Sequence, residues 1–448
     1  MVQEKSCLEK INEVLEEIQW ESVPLDVRTK AKECLADFVG VMLKGSENSL
    51  SADLRKALGE EPEHNPEDLA LLLGSTGRMP DTDDGHRFAM AHPGVVINST
   101  AIAMALHLQH VKGADLLKAI IKGYEMYCYE GRVINPGAYL KRGIDATSVC
   151  GGAAAAVVAG SLWGLDKQQL AGAISLAASL AGGLNQSAID GSAQKYLVAG
   201  WGAKLGIACA RMARENLGGP LHVFEGKLGY CNAFAPEPDE ELLYHPRLNW
   251  DIRNVYIKRY ACVRRIHATL DAISDIVGKT GLTPDRIKSV KVYGSQFLYN
   301  AGGYEPKDGA QAQTSVPYTV TLLLHFGRVE DGEVHAHLQD AGLAAYSHRI
   351  EVIKDPEIIA LAEKDKSLWG AAKVRIETVD GTIYNGKQII PYGDPELPFQ
   401  EGIVEQKFLG MVENTLGKEK GEAIWARLMG LEQEDSCESV FQNVLKVL

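Results

Sequence analysis

The sequence predicts a mainly α-helical protein with an α+β second domain, and three observations carry that expectation. Apolar residues recur at helical spacing through the first half, alternate at strand spacing beyond Pro236-Glu237-Pro238, and return to helical spacing after Pro391 and Pro395. At 448 residues the chain also exceeds the size at which one hydrophobic core stops growing, so two domains are expected. Residues 1–240 and 396–448 are assigned to a large helical domain and residues 241–395 to a smaller α+β domain.

Taken in order, Leu8, Ile11, Leu15 and Ile18 form one apolar stripe, and Val27, Ala31, Cys34, Leu35, Phe38 and Met42 form the next. Further helices are predicted over 95–111, 114–133, 149–163, 168–184 and 196–217, with Asp166 as an N-cap and Gln169 completing a capping box. The stretch 148–189 is nearly uncharged and rich in Ala, Gly and Ser. Such residues are too weakly hydrophobic for a bilayer, and Asp166-Lys167 interrupts them, so they read as two buried helices. Residues 287–293 and 373–379 alternate like strands, Asp380-Gly381 before Thr382-Ile383-Tyr384 signals a hairpin, and 265–277 and 317–326 read as helices between them. Ile403, Phe408, Met411 and Leu416 then share one face, and a last helix is predicted over 437–448, returning the C-terminus to the first domain.

Composition narrows the function. With 46% hydrophobic and 23% charged residues the chain can build a sizeable core. Its formal charge of −13 opposes binding to nucleic acid or an anionic membrane, while leaving room for a small anion in a locally basic pocket. Eight cysteines without paired spacing read as reduced, buried thiols, and no basic-then-apolar leader opens the chain, so a cytoplasmic protein is expected.

The densest chemistry lies in Asp81-Thr82-Asp83-Asp84-Gly85-His86-Arg87, followed by Ala91-His92-Pro93-Gly94. Three crowded carboxylates can have their pKa values driven apart, yielding one acid and one base. Tyr139, Arg142, Asp145, Thr147 and Ser148 precede the Ala-rich helix, where hydroxyls and N–H groups suit a carboxylate. Lys195 opens another helix after a Gly191-Ser192 break, against the helix dipole. Lys258, Arg259, Arg264 and Arg265, with His267, form a basic cluster beside the interdomain linker and suggest an anion clamp.

Familiar cofactor signatures are missing. Gly278-Lys279-Thr280 resembles the end of a phosphate loop, but Ile273 stands where its first glycine belongs, so a helix C-terminus is expected there. Neither a dinucleotide fingerprint nor a nucleophile elbow is found, and His335 and His337, two apart as on a strand, lack companions for a metal site. The reading is therefore of chemistry by side chains alone, with no cofactor and no metal.

Together these segments resemble the MmgE/PrpD family, which includes 2-methylcitrate dehydratase, cis-aconitate decarboxylase and iminodisuccinate epimerase. The resemblance rests on Asp81-Thr82-Asp83-Asp84 with His92-Pro93-Gly94, Thr147-Ser148 leading to Gly152 and four alanines, Lys195-x-Leu197-x-x-Gly200-x-x-Ala203-x-x-Gly206, and Lys258-x-Tyr260-x-Cys262-x-Arg264-x-x-His267. It implies a helical domain, an α+β lid, a homodimer and no cofactor. It also implies that Asp81, His92 and Lys195 line the active site, with Lys258 beside the lid. Two positions depart from the family: Asp145 stands where many relatives have a histidine associated with proton transfer, and Val263 where decarboxylase-like members place another.

An α-proton beside a carboxylate is a weak acid, so such an enzyme must neutralise the substrate's charges while a base removes the proton. Lys195, Lys258, Arg264 and Arg87 suit the first task; Asp81, Asp145, His92 or Tyr139 suit the second. Asp84, His86, Thr147, Ser148 and His267 complete the expected substrate-binding set. Loss of a β-hydroxyl gives dehydration, loss of carbon dioxide decarboxylation, and return of the proton to the other face epimerisation. A dehydratase acting on a di- or tricarboxylate is the leading expectation, with an epimerase, a decarboxylase and a non-catalytic anion binder as alternatives.

Overall fold

Stripes at both ends of the chain close on one core. The computed structural model describes residues 4–59 and 61–446, and in it Leu35, Met42, Ile97 and Ala155 share a hydrophobic cluster with Phe408, Val412, Phe441 and Val444. The helices Ile403–Leu416 and Lys418–Met429 pack on Leu25–Gly45, and Glu438–Leu445 packs on Pro93–Leu108. The predicted last helix thus begins at Glu438, and its residues 447–448 lie outside the described residues.

At the centre of this domain lies Gly151–Trp163, surrounded by Pro93–Leu108, Gly113–Ile134, Lys167–Ser179 and Gln194–Arg214. Its extension Ala146–Trp163 is the one described helical stretch long and apolar enough to cross a membrane, and it is buried within the protein. Small side chains permit that density. A Cβ on Gly200 would lie 2.1 Å from the Leu71 carbonyl, so the helix Gln194–Arg214 meets Pro66–Arg78 backbone to backbone. That contact sets the start of one helix beside the end of the other, where Lys195 and Arg78 both reach Asp81.

The capping box at Asp166 and Gln169 forms as expected. The helix behind it stops at Ser179 rather than 184, because Gly182-Gly183 cannot sustain it cheaply. All eight cysteines are buried and unpaired.

The second domain has its own core, running from Tyr260 to Ile376. Its four strands lie in the order Ile350–Lys354, Ile287–Gly294, Ala372–Thr378, Ile383–Gln388, the first pair parallel and the others antiparallel. Both predicted strands and the Asp380-Gly381 hairpin are present. Ile350–Lys354 escapes sequence reading because only Ile350 and Val352 carry its alternation; they settle opposite Val290 and Val292. The helix Arg264–Thr280 covers the sheet and ends at Gly281 (φ 63°), so Gly278-Lys279-Thr280 is a helix end as expected. His335 is helical, not on a strand, and faces Asp331 one turn earlier at 3.3 Å.

Where the domains meet, Gly85–His86 pairs antiparallel with Val255–Tyr256. This two-residue ladder fastens the aspartate loop to the segment that enters the second domain. Lys407 adds a tie from the C-terminal helices, with Nζ 2.6 Å from Asp37 and 2.8 Å from the Thr82 carbonyl.

Candidate active site

Asp81 is the hub, fully buried and held at φ 54°, a conformation that aspartate tolerates better than most residues. Its Oδ1 accepts from Arg78 at 2.7 Å and Lys258 at 2.5 Å, and its Oδ2 accepts from Lys195 at 3.0 Å. Lys258 reaches it because it lies two residues beyond the Val255–Tyr256 strand that pairs with the aspartate loop. Burial opposes ionisation of Asp81, but Lys195, Lys258 and Arg78 outweigh it and hold the carboxyl well below the usual range. Asp83 is treated alike: burial raises its pKa, and Arg78 at 3.0 Å with His92 overcomes that to keep it ionised.

His92 Nδ1 lies 2.9 Å from the Asp84 carbonyl and 3.0 Å from Asp83 Oδ2. Both are acceptors, so Nδ1 carries the hydrogen and Nε2 is left as the ring's basic atom. Burial, reinforced by Arg78, pushes the imidazole below its ordinary value and keeps it neutral at pH 7. The Lys195 ammonium is also pushed down by burial, against the pull of Asp81 and with Arg78 adding to the shift. Its Nζ also donates to Gln313 at 2.5 Å, a contact across the domain junction.

Above this network opens a cleft of about 530 Å³ between the domains. Seven cations line it (Arg78, Arg87, Arg132, Lys195, Arg264, Arg265 and Lys366), against the carboxylates Asp145 and Asp239. In an otherwise acidic chain the cleft thus gathers cations, five of which already face a protein carboxylate within 4 Å. Of the thirteen residues given a catalytic or substrate-binding role from the sequence, His92, Lys195, Tyr139, Asp145, Thr147, Arg87 and Arg264 line the cleft, as does Arg265 of the basic cluster.

Six others do not. Asp81 and Lys258 lie beneath the lining as a buried ion network. Asp84 turns away from the cleft, accepting from the Tyr124 hydroxyl at 2.6 Å and the Gly94 N–H at 2.8 Å; burial lifts its pKa to about 7. A Cβ on Gly94 would sit 2.5 Å from that carboxylate, so the glycine is what admits it. His86 is buried 3.8 Å from Asp251, Ser148 donates to the Gly182 carbonyl, and His267, held near the Cys262 carbonyl, is pushed by burial and by Lys258 to about 3. Apart from His86 Nε2, which has no hydrogen-bond partner, these polar atoms are engaged by buried partners, so the side chains support the cleft from behind its lining.

Even within the lining, several groups are committed. Asp145 caps a short helix through the Thr147 N–H at 2.9 Å, Arg264 grips Asp394 through Nε at 3.0 Å, and Arg87 pairs with Asp394 and Glu396.

Residues 9–243 match the MmgE/PrpD N-terminal domain, and residues 260–431 match the MmgE/PrpD C-terminal domain. The chain belongs to the MmgE/PrpD family. It is similar to the cis-aconitate decarboxylase-like protein oryM of Aspergillus oryzae, 25% identical over 93% of this chain and 92% of that protein. A cis-aconitate decarboxylase of Aspergillus terreus is 23% identical over 92% of this chain and 90% of its own. These relatives support an enzyme of the lyase type.

Sequence reasoning missed Arg78 and Gln313 in this MmgE/PrpD site. Arg78 ends an apolar helix, and a lone arginine closing that run three residues before Asp81 was the available signal. Gln313 approaches Lys195 only through the tertiary fold, so local pattern held no sign of it.

Proposed function

We propose that this protein is a dehydratase-type lyase acting on a small di- or tricarboxylate. The carrying observation is the juxtaposition of a neutral imidazole and a buried ammonium, His92 and Lys195, in a cleft lined by seven cations. In this reading the cations neutralise the substrate's carboxylates, and His92 Nε2 removes the α-proton. Lys195 stabilises the enediolate charge and gives its proton to the departing β-hydroxyl, which leaves as water. The proton on His92 then returns through solvent to Lys195. Asp81 keeps Lys195 in place and charged.

Decarboxylation is the second reading, favoured by the Aspergillus relatives, a cis-aconitate decarboxylase and a cis-aconitate decarboxylase-like protein. It uses the same carboxylate binding but breaks a carbon–carbon bond, and Lys195 protonates the carbanion left by carbon dioxide.

Proton NMR in heavy water tests both. Wild type, His92→Gln and Lys195→Ala are incubated with citrate, 2-methylcitrate, cis-aconitate, malate and iminodisuccinate. A new vinyl signal from a hydroxy acid that vanishes in both variants supports the dehydratase; itaconate-type signals from cis-aconitate support the decarboxylase. Proton exchange with inversion and no net product makes the protein an epimerase, and silence with ligand-induced thermal stabilisation makes it a binder.

A second copy of this chain is the proposed partner. Leu180, Leu184, Ile189 and Trp201 are exposed large apolar residues within one short span of sequence, which suits an interface. Sedimentation equilibrium of wild type and Trp201→Glu is the check; a monomer in both removes the proposal.

A further inference from the structure

We propose that Arg265, backed by Phe297 and Trp369, is a carboxylate subsite that selects which polyacid the cleft accepts. The inference rests on the carboxylate-binding reading above and extends it to a residue and a ligand feature. Arg78, Arg87, Arg132, Lys195 and Arg264 each have a carboxylate partner within 4 Å. Arg265 and the exposed Lys366 have none among the described residues, and of these two Arg265 has its Nε buried without an acceptor. A guanidinium serving only as a solvated surface charge would leave that atom in water.

Two more features bear on the arrangement, one unfavourable to an unpaired cation and one that positions it. Arg265 stands in the first turn of the helix Arg264–Thr280, where a cation opposes the helix dipole and the N-cap Val263 offers no side-chain acceptor. Its guanidinium is also fixed, lying 4.6 Å from the centre of the Phe297 ring. Phe297 is itself wedged between Trp369 at 4.9 Å and Tyr139 at 6.3 Å, the latter reaching over from the helical domain. Arg265, Phe297, Trp369 and Tyr139 all line the cleft. A planar fork held against an aromatic wall suits bidentate binding of a carboxylate, with the ligand's carbon chain lying along the rings.

Calorimetric titration with three unreactive acids tests this without requiring turnover. Tricarballylate has three carboxylates and no leaving group; glutarate lacks its central carboxylate and methylsuccinate lacks a terminal one. Arg265→Ala is expected to weaken tricarballylate about 10- to 100-fold while leaving one of the two dicarboxylates within about twofold, identifying the carboxylate that Arg265 holds. Arg265→Lys keeps the charge without the fork and falls between; it also supplies the readout if the alanine variant does not fold, melting temperatures being the control. Equal weakening of all three ligands, or none, overturns the subsite. Failure of tricarballylate to bind wild type brings down the carboxylate-binding reading itself, and the subsite with it.

Discussion

Asp81 and Asp83 sit within three residues of Asp84, all three are buried, and the fold drives their carboxyls in opposite directions. Asp81 has three cations within 3.0 Å and Asp83 has Arg78 at that distance, so both stay ionised. Asp84 meets only a phenol and a backbone N–H, which cannot offset desolvation, and its pKa rises to about 7. Burial thus sets the default sign, and only cations at contact distance reverse it. The division also assigns work: the ionised pair organises Lys195 and His92, and Asp84 holds the backbone that carries His92.

The hardest blow to this contrast is Asp81→Asn, which removes the counter-charge shared by Arg78, Lys195 and Lys258, leaving Asp83 to face two of them and Lys195 with no carboxylate among the described residues. A loss of about 3–5 kcal/mol in urea unfolding is expected, along with turnover. A variant of unchanged stability would show that the hub is not what holds the cations.

His92→Gln is expected to lower kcat by about 10²–10⁴ while the melting temperature stays near that of wild type, since the ring lines the cleft and is partly exposed. The pH profile carries the sign. Burial and Arg78 lower the imidazole pKa, so the base stays neutral to lower pH, and the acid limb of kcat/KM is expected below pH 6.5. A limb above 6.5 contradicts the assignment.

Asp84→Asn sharpens the comparison through stability alone. Wild-type Asp84 keeps its proton to about pH 7 when folded but loses it near 3.8 when unfolded, so folding weakens as pH rises through that window. The Asn variant lacks this slope and should gain on wild type between pH 4 and 7, by about 1.4 kcal/mol for each unit of the rise, then run parallel above it. Denaturant curves at pH 4.5, 6 and 8 measure the difference.

The smallest effect is expected from Asp145→Asn. Asparagine caps helices as well as aspartate does, so stability should shift by a few tenths of a kcal/mol and turnover by less than about tenfold. A larger loss of turnover at unchanged stability makes the Asp145 carboxylate a chemical participant.

Much of the architecture was legible locally. Stripes such as Leu8-Ile11-Leu15 and the Asp166–Gln169 box need only neighbouring residues to form, and they form. The strand Ile350–Lys354 was not, because two apolar residues do not make a period and its partner lies about 60 residues upstream. The site divides the same way. The aspartate loop, His92 and Lys195 stood out as charges in unusual company, yet which of them faces the cleft depended on partners such as Arg78, Tyr124 and Gln313, far off or unremarked in sequence.

The sequence by itself determined the helical stripes, the strand alternation, the acidic net charge and the supply of cations and carboxylates, because these follow from residue type and short-range spacing. The tertiary structure alone decided which carboxylates keep their charge, which cations are already paired, and which are left open to a ligand. The reason is physical: desolvation and Coulomb energy depend on distances of a few ångströms between groups that the chain separates by up to hundreds of residues, and only folding sets those distances.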